Sequence, residues 1–116
     1  MCDVPLELVM LSDVMPSQEL QFGAAKGLHP NGQVAHFLDG AVLQYFDAEW
    51  CPLLTVYETA PVFDSVGARA SIRGAPASLS LSLWTEMTVP AGELAPGREL
   101  AERIAAATAG VIRERV

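Results

Sequence analysis

Two histidines, two cysteines and two tryptophans are the side chains whose types and spacing could do chemistry or anchor a partner. His29 falls in the turn His29-Pro30-Asn31-Gly32, a setting that leaves an imidazole in solvent. His36 lies in an alternating stretch and shares its face with Val34 and Leu38, as a packed or edge histidine would. Neither stands in a helical pattern with a second ligand at i+3 or i+4, and paired ligands of the zinc-ribbon kind are missing. The chain contains no glycine-rich phosphate loop and no Gly-x-Ser-x-Gly elbow. The sequence therefore assigns no catalytic, metal-ligating or cofactor-binding residue, and the reading is of a non-catalytic protein.

Cys51 is the one nucleophile with a suggestive context. Phe46-Asp47-Ala48-Glu49-Trp50-Cys51-Pro52 resembles the start of the thioredoxin active-site motif, which implies a thiolate stabilised at a helix N-terminus. That chemistry needs a second cysteine at position 54, where Leu54 stands, and residues 53–58 read as strand. A structural cysteine is the expectation. Cys2 and Cys51 could form a single disulfide, and reduced thiols are the default.

Binding fits the residues better than catalysis does. Large amphipathic aromatics are enriched at interfaces, and Trp84 falls on the polar side of an alternating strand, where Glu86 and serines would floor a groove or a second layer would cover them. Trp50 follows the acids Asp47 and Glu49, and the three complete the predicted partner-binding set. Net charge is −7, and residues 1–65 carry nine acids against a single base, Lys26. Nucleic acid is excluded as a partner, because phosphates demand clustered cations. An acidic surface of this kind either keeps the protein soluble or docks a basic segment of another protein.

The elements that must position these residues follow from periodicity. In Ser78–Val89, SLSLSLWTEMTV, Leu79, Leu81, Leu83, Met87 and Val89 point one way while Ser78, Ser80, Ser82, Glu86 and Thr88 point the other. This predicts a long antiparallel strand with one wet face. VAHFL (34–38) and AVLQYF (41–46) flank Asp39-Gly40, a pair suited to a two-residue type I′ hairpin turn. LLTVYE (53–58) follows as the third strand of a meander, and VGARASI (66–72) as a short edge strand. Residues 4–15 fit a strand or a short helix, with the balance tipped towards the helix by Asp3 and Pro5; a further helical fragment fits Gln18 to Lys26. From Gly97 to Arg115 the apolar residues fall at helical spacing, with Leu100, Ile104, Ala107 and Val111 in one stripe and Ala101, Thr108 and Ile112 beside it. Ala106, Ala109 and Gly110 give that helix a small-residue second side.

The expected fold is α+β: an antiparallel sheet of about five strands, a C-terminal amphipathic helix packed across it, and a short N-terminal helical segment, in one domain spanning residues 1–116. A composition that is 51% hydrophobic excludes disorder over most of the length. No apolar run reaches the roughly 18 residues of a membrane span, and MCDVPLELVM makes a poor signal peptide, so a cytoplasmic protein without membrane contact is expected.

This order of elements resembles the class I chaperones of type III secretion. LSLWTEMTVPAGEL followed by PGRELAERIAAATAGVI is similar to that family's last strand, turn and C-terminal helix, and SVGARASIRGAPASLSL to its fourth and fifth strands. The resemblance implies a homodimer that binds a partner polypeptide. The chain departs from the family in having only APVFD (60–64) where a second helix normally builds the dimer interface, so no functional residue is carried over. An immunity-type inhibitor of a basic toxin would show the same acidic surface, and a third reading places a small ligand or substrate in a pocket near Trp84, Tyr45 and Tyr57.

Overall fold

A computed structural model describes residues 5–61, 83–90 and 94–115. Their order is β1 (Leu6–Ser12), α1 (Gln18–Leu28), β2 (Gln33–Phe37), β3 (Val42–Phe46), β4 (Pro52–Pro61), β5 (Leu83–Val89), α2 (Leu94–Ala107) and β6 (Val111–Glu114). The six strands form one antiparallel sheet in the order β2-β3-β4-β5-β1-β6. The fold is α+β, as expected, with a sixth strand added. The strand expected at 66–72 and the first part of the one expected at 78–89 lie outside the described residues.

The first correction concerns the segment expected at 4–15, where the balance tips towards a helix: Leu6–Ser12 is a strand. β1 runs between β5 and β6, pairing Leu8 with Met87 on one side and with Glu114 on the other. Leu8, Val9, Met10 and Leu11 are all buried, so both faces of this strand are covered. Helix 1 begins only after Pro16: Ser17 caps it, its Oγ accepting from Leu20 N–H at 3.3 Å.

The second correction is at the other end, where Val111 and Ile112 belong to β6 and not to the helix. α2 stops in a Schellman arrangement: Gly110 N–H donates to Ala105 O at 2.8 Å and Ala109 N–H to Ala106 O at 3.3 Å. Ala109 takes the left-handed position at φ 53 that glycine normally fills. Gly110 then passes so close to β1 that a Cβ would lie 2.7 Å from Leu11 O. The chain turns back and pairs with β1.

The hairpin between β2 and β3 holds a third difference. Asp39 and Gly40 adopt the positive φ values of a type I′ turn, and Ala41 N–H donates to Leu38 O at 3.1 Å. Leu38 is left-handed too, at φ 52, and Ala41 is helical. The ladder therefore closes one pair earlier, at Phe37 and Val42, leaving a four-residue loop in place of the expected two.

Both helices contact each other and cover the same face of the sheet. Alternation aims Leu8 and Met10, Leu43 and Tyr45, Leu54 and Val56, and Met87 and Val89 at that face, where they meet Phe22 and Ala25 of α1 and Leu100, Ala101, Ile104 and Ala105 of α2. The helical stripe read from Leu100 and Ile104 is thus the packed one, while Ala107 is exposed. Gly97 lets α2 settle on the sheet: any Cβ there would collide with Leu53 O and Val89 Cγ1. Val9, Leu11, Trp84 and Val111 form a smaller cluster on the opposite face. No described helix is long and apolar enough to cross a membrane.

Candidate functional site

The β3–β4 loop is built by one aspartate. Asp47 N–H donates to Cys51 O at 3.0 Å, and Trp50 N–H donates to Asp47 O at 3.1 Å, closing a tight turn. The Asp47 carboxylate accepts from Glu49 N–H at 2.8 Å and from Cys51 N–H at 2.9 Å, an Asx arrangement that fixes the whole loop. Such a loop ends in a left-handed residue before the next strand, a place suited to glycine. Trp50 occupies it, at φ 64.

A bulky side chain in that conformation costs on the order of 1–2 kcal/mol. The indole recovers little by burial: it remains 60% exposed, touching Phe46 with ring centroids 5.4 Å apart. The Glu49 side chain is exposed beside it. Trp50, Asp47 and Glu49 therefore come together as an exposed aromatic with an acidic surround.

Trp84 and Glu86 are placed elsewhere. β4 pairs with Phe46 at Pro52 and with Trp84 at Ala60, so roughly 25 Å of strand separates the two tryptophans. Trp84 is half-buried and packs against Val9 and Leu11 on the face away from the helices. Glu86 reaches across β1 to an ion pair with Arg115, the residue after β6. The side of β5 carrying Trp84, Glu86 and Thr88 is the one alternation assigned as polar, and there the partly covered tryptophan joins the sheet's second apolar cluster.

Residues with catalytic potential do not converge. Cys51 carries a thiol and precedes β4, so no helix N-terminus stabilises a thiolate there. His36 is exposed and meets Phe22 edge-on, ring centroids 5.6 Å apart. His29 caps the end of α1 and, contrary to its reading as a solvated turn residue, buries Nε2. No group of three or more metal-ligating side chains occurs among the described residues.

Tyr45 and Tyr57 line different hollows, not one pocket. Tyr45 borders a cleft beside the end of α1. Tyr57, 40% exposed, borders a shallow groove of about 410 Å³ between the start of α1 and the β2–β3 turn, with Met15, Asp39 and Glu58. Sequence reading missed this groove because its walls come from three segments far apart in the chain. Comparison with known protein families, with characterised proteins and with solved structures returns no match for this chain.

Proposed function

We propose that this protein is a non-catalytic protein-binding module that holds a partner through a basic segment, with Trp50 as the anchor and Asp47 and Glu49 as its acidic surround. The observation that carries this reading is the conformation of Trp50. A residue kept at φ 64 with most of its surface in water stores strain that its one ring contact, with Phe46, offsets only in part. Local strain of this kind collects at functional positions, and exposed tryptophans dominate binding energy when they become buried against a partner. The charge supports a basic partner, since the first 65 residues hold nine acids and one base.

The test is capture of partners from the native host by the wild type and by Trp50→Gly, at low and at moderate salt. A basic protein retained by the wild type, released as salt rises and lost in the variant is the expected result. The same partners on both proteins would overturn the reading. Two forms of the activity differ in stoichiometry. A chaperone or adaptor like those of secretion systems is a homodimer alone and holds an extended client; an immunity-type inhibitor is a monomer capping a folded basic enzyme. Light scattering on the free protein and on the complex separates them.

A further inference from the structure

A second site, independent of the partner-binding reading, lies on the helix-covered side of the sheet where α1 ends. A cleft of about 200 Å³ opens there. Phe22 and Ala25 of α1, Val34 of β2, Tyr45 of β3, Leu53 of β4 and Leu100 of α2 supply apolar walls. An engineered apolar cavity of about 150 Å³ takes up benzene, so this space accommodates one six-membered ring.

Lys26, His29 and Gln33 bring polar side chains to the apolar walls. Lys26, the lone base of residues 1–65, lines the cleft, is exposed, and makes no ion pair among the described residues. His29 lines it as well, and its Nε2 is buried with no hydrogen-bond partner. A buried polar atom left in that state is destabilising, and native proteins rarely keep one without a reason. An apolar cleft edged by the Lys26 ammonium and by the His29 ring, whose unsatisfied Nε2 is turned inward, suits an anion attached to a hydrophobic body.

We propose that this cleft binds a small monocyclic aromatic carboxylate. The ring fills the space between Phe22, Val34 and Leu53, and the carboxylate meets the ammonium of Lys26 at the edge. His29 turns about its terminal torsion, which is broad for an imidazole, to uncover Nε2 and donate to the same carboxylate. The site is a binding site: no group in it is placed to make or break a covalent bond.

The experiment is a titration of the full chain with benzoate, followed by methyl and imidazole resonances. Saturable shifts at Ala25, Val34, Leu53 and Leu100, together with movement of the His29 ring signals, are expected. Lys26→Gln, at an exposed position, should fold normally and bind benzoate about tenfold more weakly, the loss of one charge-assisted contact. Benzyl alcohol, which keeps the ring but lacks the charge, should bind the wild type and this variant equally. Ala25→Met, which fills the cleft, should abolish the shifts. Absence of saturable shifts with benzoate up to millimolar concentrations, or undiminished affinity in Lys26→Gln, would overturn the assignment.

Discussion

Tyr45 donates its phenolic hydrogen to Gln21 Oε1 at 3.0 Å, tying the second strand of the meander to α1 at a point where neither side chain is exposed. Gln21 Nε2 in turn donates to Pro16 O at 2.7 Å, so one buried chain of contacts fixes the start of the helix over the sheet. Tyr45→Phe removes the donor and leaves the glutamine oxygen buried and unsatisfied. It should cost about 1–3 kcal/mol in urea unfolding.

The same tyrosine gives the fold an alkaline limit. Burial raises its pKa well above the ordinary value, which is about 10. The folded protein thus keeps the proton that the unfolded chain releases, and the contribution of Tyr45 is complete below pH about 10 and falls as pH rises beyond it. Stability measured from pH 8 upward should bend downward above pH about 10. Tyr45→Phe, less stable at neutral pH, should lack that component of the bend.

Trp50 offers a separation of strain from contact. Trp50→Ala removes the indole but keeps a Cβ in the left-handed position, whereas Trp50→Gly removes both. The glycine variant should be about 1 kcal/mol more stable than the alanine variant in thermal melts. Equal stability of the two would remove the strain on which the partner-binding reading rests.

The end of α2 should respond in opposite directions at adjacent positions. Ala109→Gly relieves a non-glycine residue at φ 53 and should stabilise the protein by about 1 kcal/mol. Gly110→Ala drives a Cβ against Leu11 O and should destabilise it by about 1–3 kcal/mol. Urea midpoints of the two variants check both signs.

β6 is held from both faces of the sheet. Glu114 pairs with Arg98 of α2 at 2.9 Å on the helix side, and Arg115 pairs with Glu86 on the other. These half-exposed pairs should each contribute less than about 1 kcal/mol in double-mutant cycles. Truncation after Gly110 is a different matter, since it opens the edge of β1 along Leu8–Leu11. The truncated chain should elute as aggregate in size exclusion.

Where one face of an element meets water, the sequence disclosed it. Leu83, Met87 and Val89 alternate with Trp84, Glu86 and Thr88 as read, and Leu100 and Ile104 mark the packed side of α2. β1 was illegible for the opposite reason: Leu8 to Leu11 are buried on both faces, so the strand is a continuous apolar run that periodicity cannot tell from a helix. β6 was hidden because Ala109, and not glycine, occupies the left-handed cap, while Val111 and Ile112 stay in phase with the preceding helix. Of the five residues singled out for binding, Asp47, Glu49 and Trp50 share one loop. Trp84 and Glu86 were grouped with them by residue type, and type carries no information about distance.

The place of β1 also sets the order in which the molecule can assemble. The β2–β4 meander closes through contacts near in sequence, but the first strand lies between two strands from the last third of the chain. While the polypeptide is being synthesised, Leu6–Ser12 has no neighbour until translation has passed residue 89, and gains its second only after residue 110. Non-local pairing of this kind slows folding and prolongs the exposure of apolar segments. The nascent chain is consequently most vulnerable along Leu6–Ser12, and completes its sheet only when β5 and β6 have both been made.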